Sequence, residues 1–234
     1  MKQELLVAGI ETSGPRGSVA LLRGGRVLGE EALGEGVTHG VALHPALERL
    51  LRAARAAAKD LGLVVVGTGP GSFTGMRVGV AAARSLAFAV PCPVVGVPSY
   101  DALAAAAPAG VPGVACARDA RRGEVWFALY GPARLDGSRE ALVPPCRKEA
   151  AAAAAALPAG CLVLGDFAGT LAGLAKAEGV SAGGEAQAAP RASVLARLGF
   201  AAFLRDGPSD PATVLPLYLQ EPLALKKGEG VRRG

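Results

Sequence analysis

Nothing in this 234-residue sequence spaces side chains as a metal site or a redox thiol pair would. Four cysteines, Cys92, Cys116, Cys146 and Cys161, never approach a C-x-x-C spacing, so they read as reduced structural thiols of a cytoplasmic protein. The only two histidines, His39 and His44, lie five residues apart, about 140° around a helix, which excludes a shared ligand face. His44 reads instead as a side chain packed on a leucine stripe. Long apolar runs are missing too: Val78 to Pro98 is broken by Arg84, Pro91, Pro93 and Pro98 and cannot be a membrane helix. The apolar run before Ile10 is too brief for a signal-peptide core, so the start is expected to stay with the mature chain. Charged residues are 19% against 51% hydrophobic, a balance that excludes wholesale disorder. The net charge of +5 is scattered, apart from Lys226, Lys227, Arg232 and Arg233 in a polar tail.

What is present is an ordered series of elements. Leu5–Ile10, Ser18–Leu22 and Arg26–Glu31 read as three antiparallel strands, with Gly24-Gly25 as a hairpin turn. Leu43, Leu47, Leu50, Leu51, Ala54 and Ala58 then share one helical face. Thr38 is a candidate N-cap, but Pro45 would lie inside that helix, so it either kinks there or starts near His44. Leu63–Gly67 reads as a buried parallel strand, Phe73 to about Ala89 as a helix and Val94–Val97 as the next strand. After a weakly structured link at Ala107–Pro112, strands are expected at Gly113–Arg118, Val125–Tyr130 and Cys161–Gly165. Helices are expected at Lys148–Leu157, Leu171–Lys176 and Ala192–Leu204. The fold class is α/β in two lobes.

The segment Gly67-Thr-Gly-Pro-Gly-Ser-Phe-Thr-Gly-Met-Arg-Val-Gly79 sits where a strand enters a helix, a place where free backbone N–H groups can hold an anion. It fits neither phosphate-loop pattern: the Walker lysine is missing, and G-x-G-x-x-G fails at Ser72 and at Thr74. The helix carries two small or apolar stripes, Gly75, Gly79, Ala82 and Leu86 beside Met76, Val80, Ala83 and Ala87. Phe73, Arg77, Ala81, Arg84 and Phe88 occupy the third side. One apolar stripe suffices to cover a sheet, so the second implies close approach by another helix, from this chain or from a partner. No G-x-S-x-G elbow surrounds Ser72 or Ser13. Gly165-Asp-Phe-Ala-Gly-Thr170 reads as a turn with Asp166 capping the next helix, and Arg118–Glu124 as a charged hairpin.

Gly69–Gly79, Arg118-Asp-Ala-Arg-Arg-Gly-Glu-Val-Trp126, His39 with Leu43 and Pro45, and Leu215-Pro-Leu-Tyr-Leu219 together resemble the bacterial TsaB (YeaZ) family over nearly the whole chain. The resemblance implies the actin/sugar-kinase/Hsp70-like fold, each lobe a mixed sheet with flanking helices. The first lobe would span 1–107 with the partner-binding helices. The second would span 108–234, its last helix packing back on the first lobe before a disordered basic tail from about 224.

By the same resemblance the chain is a non-catalytic scaffold in the formation of N6-threonylcarbamoyladenosine at position 37 of tRNAs reading codons that begin with A. It would dimerise with and activate the related catalytic subunit TsaD, be joined by the ATPase TsaE, and meet tRNA only through the complex, away from any membrane. Alone it is expected to form a homodimer. No cofactor of its own is implied, ATP and a metal residing on partner subunits. The expected contact residues are His39, Leu43, Leu47, Leu50, Gly71, Ser72, Phe73, Thr74, Gly75, Met76, Arg77, Gly79, Ala82 and Leu86, so that Gly79→Leu should spare folding and abolish partner binding. Glu11, Thr12 and Ser13 would be a vestigial nucleotide loop, Glu11 standing where the family has Asp. The alternatives are a glycoprotease-like peptidase and a small-molecule kinase of the same fold.

Overall fold

The first strand, β1 (Leu6–Glu11), is buried at every position because a layer covers each of its faces. In the computed structural model, which describes residues 4–34, 39–208 and 210–219, it is the central strand of a five-stranded sheet. β2 (Ser18–Arg23) and β3 (Arg26–Ala32) add antiparallel on one side, Ala8 facing Leu21. β4 (Leu61–Gly67) and β5 (Val94–Val97) add parallel on the other, Ala8 facing Val64. Side chains alternate faces along each strand. Ala8, Ile10, Leu21, Val64 and Val66 therefore meet α1 (His39–Ala53) and α2 (Phe73–Ala89). Val7, Leu22, Leu63 and Val65 meet α6 (Ala192–Asp206), far along the chain. A Cβ on Gly9 would fall 2.5 Å from the Ala192 carbonyl oxygen, and one on Gly199 2.3 Å from Val65, so the two glycines permit that close approach.

The second sheet repeats the plan. β6 (Val114–Arg121) is central, with β7 (Glu124–Ala133) and β8 (Arg139–Glu149) antiparallel to one side and β9 (Leu162–Leu164) and β10 (Ser181–Ala182) to the other. α4 (Ala150–Ala155) and α5 (Ala168–Leu174) cover one face. α3 (Ser99–Ala105) covers the other: Tyr100, Leu103 and Ala104 pack on Val114, Cys116, Ala128 and Tyr130, while Ala102 packs toward α6. The Tyr130 hydroxyl donates to Asp101 Oδ1 at 2.8 Å, and burial pushes the Asp101 carboxyl above its ordinary range. Arg139, 8% exposed, donates to the carbonyls of Pro108, Val111 and Gly131 at 2.7, 3.2 and 2.9 Å and so fastens the link to the second sheet. Two mixed sheets of one repeated strand order, flanked by helices, form the two-lobed actin/sugar-kinase/Hsp70-like fold.

Several expectations need correction. α1 begins at His39 and runs through Pro45. The carbonyl that proline leaves unbonded belongs to Val41, which is 71% exposed, so water can satisfy it. The helix ends at Ala53, and Ala58 and Lys59 belong to a separate 3₁₀ turn. Arg55 takes φ 52°, and the Ala56 and Arg55 amides close back on the Leu51 and Arg52 carbonyls, a Schellman ending without glycine. His44 is exposed rather than packed, because it lies on the solvent side with Pro45. α3, β8 and β10 are additional elements. β8 tolerates Pro144 and Pro145 because it is an edge strand. Lys148 and Glu149 end β8 instead of opening α4, and α5 starts three residues and ends two residues earlier than expected. The Thr38 cap and the tail from about 224 lie outside the described residues. Among the described residues no helix is long and apolar enough to cross a membrane.

Candidate functional site

The turn after β1 and the turn before α2 fold into each other. Glu11 is fully buried, its Oε1 accepting from the Ser13 amide at 2.6 Å and its Oε2 from Ser99 Oγ at 2.7 Å. Ser99 Oγ accepts in turn from the Gly69 amide at 3.1 Å. Burial raises the Glu11 carboxyl above its ordinary range, and the hydrogen bonds from Ser13 and Ser99 oppose that rise only in part. Thr12 Oγ1 donates to the Gly75 carbonyl at 2.8 Å. The Ser13 carbonyl accepts from the Ser72 amide at 2.7 Å, and Ser72 Oγ caps α2 by accepting from Gly75 N at 3.2 Å. Thr12 Oγ1 and the Ser72 amide thus tie the two turns directly, and Glu11 joins them through Ser99.

This interlock explains the glycines of α2 and corrects the expectation built on them. A Cβ on Gly75 would lie 2.1 Å from the Thr12 carbonyl oxygen, and one on Gly79 2.3 Å from Thr12 Oγ1. The stripe is small because the chain's own first turn lies on it. Val80, Ala83 and Ala87 are buried as well, with Leu43, Leu47 and Ala82, in the core under α1 and α2, and Met76 is buried against Gly69. Leu50 and Leu86 are half-buried against that core, and His39 is half-buried. Both stripes are therefore occupied within the chain, and Gly75, Gly79 and Ala82 offer a partner no surface.

What α2 leaves outside is its third side. Gly71, Ser72, Phe73, Thr74 and Arg77 are exposed, as are Ala81 and Arg84, and Phe88 is 91% exposed. Val41 projects from the first turn of α1. Alongside α2 runs the segment Asp210–Leu219, anchored by buried Val214 against Gly96 and by the Leu217 amide on the Thr68 carbonyl at 2.7 Å. Tyr218 stacks obliquely on Phe73 with ring centroids 5.1 Å apart. The Arg77 guanidinium lies 3.8 Å over the Phe73 ring and its Nε donates to the Tyr218 hydroxyl at 2.8 Å. The sequence signal for this face is the set Phe73, Arg77, Arg84 and Phe88, large or charged residues at helical spacing with Ala81 among them. Val41 and the seating of Leu215, Leu217 and Tyr218 beside α2 carry no local signal.

The remaining chemistry-bearing groups lie apart. Burial pushes up the thiols of Cys92 and Cys116, and that of Cys161 to about 11, which disfavours the nucleophilic thiolate. Among the described residues no three His, Cys, Asp or Glu side chains gather as a metal site would need. Arg118–Glu124 forms a hairpin, Arg121 and Arg122 taking φ 67° and 56° ahead of Gly123. Asp166 does not cap α5; its Oδ1 accepts from the Asp119 amide at 3.1 Å, and Arg118 Nε donates to its Oδ2 at 3.3 Å.

Residues 36–161 match the family described as TsaD, tRNA N6-adenosine threonylcarbamoyltransferase. The tRNA threonylcarbamoyladenosine biosynthesis protein TsaB of Bacillus subtilis is 36% identical over 126 residues, 54% of this chain and 55% of the relative. Its Escherichia coli counterpart is 36% identical over 88 residues, 37% and 38% of the two chains. The chain thus spans about half the length, or less, of these curated relatives. Structural similarity extends further: YeaZ from Pseudomonas aeruginosa superposes with a TM-score of 0.79 at 28% identity, covering 92% of this chain and 100% of that one. A second Pseudomonas aeruginosa structure, described as similar to peptidase YEAZ, gives 0.80 at the same identity and coverage.

Proposed function

Because the chain belongs to the TsaB (YeaZ) family, we propose that it is a non-catalytic subunit in the formation of N6-threonylcarbamoyladenosine on tRNA. It holds the related catalytic subunit TsaD on the outward side of α1 and α2. The observation that carries this reading is the exposed Phe88, with Phe73 and Val41, on helices whose buried sides already pack within their own lobe. Solvent-facing aromatics of this kind serve association better than folding. TsaE joins the pair, tRNA is met through the complex in the cytoplasm, and ATP and metal reside on the partners.

The internal bonding of Glu11 and Thr12 supports a turn that has become structural, which weighs against a small-molecule kinase. The raised, buried thiols weigh against a cysteine peptidase. Reconstitution tests the reading: tRNA modification by purified TsaD and TsaE should depend strongly on this chain, and Phe88→Asp should abolish both that dependence and co-elution with TsaD. Full modification without the chain, or co-elution of Phe88→Asp at unchanged affinity, overturns it.

A further inference from the structure

One guanidinium spans the two lobes at the head of the docking helix. Arg118, on the central strand of the second sheet, donates from Nη1 to the Ser13 carbonyl of the first lobe at 3.1 Å. Its Nε donates to Asp166 Oδ2, just beyond β9, at 3.3 Å. The Ser13 carbonyl is the same oxygen that accepts the Ser72 amide at 2.7 Å, so it receives the arginine and the N-cap of α2 together. The Arg118 side chain is only 14% exposed, whereas its carboxylate partner is 41% exposed. Its first-lobe acceptor is a neutral carbonyl, and its one ion pair among the described residues lies in its own lobe at the long end of hydrogen-bond distance. Such a bridge is strong enough to bias an arrangement and weak enough to open.

We propose that Arg118 is an interlobe latch that seats the first turn of α2 according to the position of the second lobe. Resting on the reading of α2 as the TsaD face, the latch sets the affinity of that face: closing it presents Phe73 and Arg77 in one arrangement, and TsaD binding closes it in return. Arg118 acts through Ser13 and is a positioning residue.

Amide hydrogen exchange on the isolated full chain tests the latch without a partner. Asp166→Asn alters only the second lobe, yet it should speed exchange of the Ser72 amide in the first by about tenfold, the weight of one charge-assisted hydrogen bond. Arg118→Met should do so more strongly and Arg118→Lys, which keeps the charge, less, while β4 amides remain as in the wild type. Unchanged Ser72 exchange in Asp166→Asn overturns the latch, and this exposed substitution decides the matter even where Arg118→Met fails to fold. Titration with TsaD then separates the two readings. Loss of affinity in Asp166→Asn supports the coupling. Loss in Phe88→Asp but not in Asp166→Asn overturns the coupling while leaving the docking face intact, and binding unaltered by either change overturns both.

Discussion

Glu30 closes the N-terminus of α6 from across the sheet, and Glu30→Ala should cost the protein about 2–3 kcal/mol. α6 has no side-chain cap of its own: its N-cap residue is Arg191, whose side chain bonds none of the free amides of the first turn. Two residues of the β2–β3 hairpin supply what is missing. Ser18 Oγ accepts from Ala192 N at 2.9 Å, and Glu30 accepts from Ser193 N at 3.2 Å and Ser193 Oγ at 2.7 Å. Arg191 adds an ion pair with N–O distances of 2.5 and 3.1 Å, which solvent screens because its side chain is 59% exposed. Loss of a cap costs about 1 kcal/mol, and loss of hydrogen bonds to a 10%-exposed carboxylate about 1.5–3, the two overlapping. For a chain of this size each kcal/mol moves Tm by about 2–4 °C, so the expected fall is about 5–10 °C.

Glu30→Gln keeps an acceptor but loses the charge, and it isolates the electrostatic part. Burial disfavours the Glu30 carboxylate, yet hydrogen bonds from Ser193 and Arg191 outweigh it and hold the carboxyl below its ordinary value of 4.5. An acid depressed on folding contributes stability that is fully present above its unfolded pKa and is lost as pH falls through the folded one. The stability gap between wild type and Glu30→Gln should therefore be constant above about pH 5 and shrink below the ordinary value. Urea unfolding followed by circular dichroism from about pH 7 to about pH 3 measures it. A Tm change below about 1 °C in Glu30→Ala, or a gap that stays flat across that range, refutes the cap.

Gly79→Ala should lower stability by about 1–3 kcal/mol in thermal unfolding, because its Cβ would meet Thr12 Oγ1 at 2.3 Å; a neutral result would mean that the Thr12 turn yields freely. Glu11→Gln should remove a pH dependence of opposite sign to that of Glu30. A buried acid whose pKa is raised on folding loses stability as pH climbs from its ordinary 4.5 through the folded value, so the wild type should weaken over that interval in urea unfolding and the variant should not. Phe88→Asp should leave Tm within about 1–2 °C of wild type, since its ring is 91% exposed, while co-elution with TsaD is lost.

The first lobe was legible because its signals are local and agree with one another. β1, β4 and β5 are apolar runs bounded by turn residues, and α2 starts at Phe73, where the glycine-rich junction hands over to helical spacing. Where signals conflicted, tertiary context decided. Pro45 spoke against a helix from His39, but its penalty falls at Val41, an exposed residue in the first turn. No glycine marks the end of α1, because Arg55 adopts the left-handed conformation usually left to glycine. The second lobe misled for a different reason. Its alanine-rich segments have strong helical propensity and weak periodicity, so boundaries drifted, and β8, with two prolines, resembles a loop until its place at the sheet edge is known.

The candidate site shows why periodicity singled out α2 but not which of its faces the chain leaves open. A glycine stripe records that something approaches the backbone closely, not what it is. On α2 the visitor is Thr12, more than sixty positions earlier in the chain, and no spacing within the helix could have told this from a partner subunit. The outward face was legible by subtraction: once two sides of α2 are used internally, the third must meet solvent or another molecule. Four large or charged side chains, Phe73, Arg77, Arg84 and Phe88, on that third side are more than solubility requires, and placing Tyr218 and Arg77 on Phe73 holds part of the surface in a single arrangement before any partner arrives. Such preordering lowers the entropic cost of association and makes the α2 face, not the glycines, the place where affinity should respond to substitution.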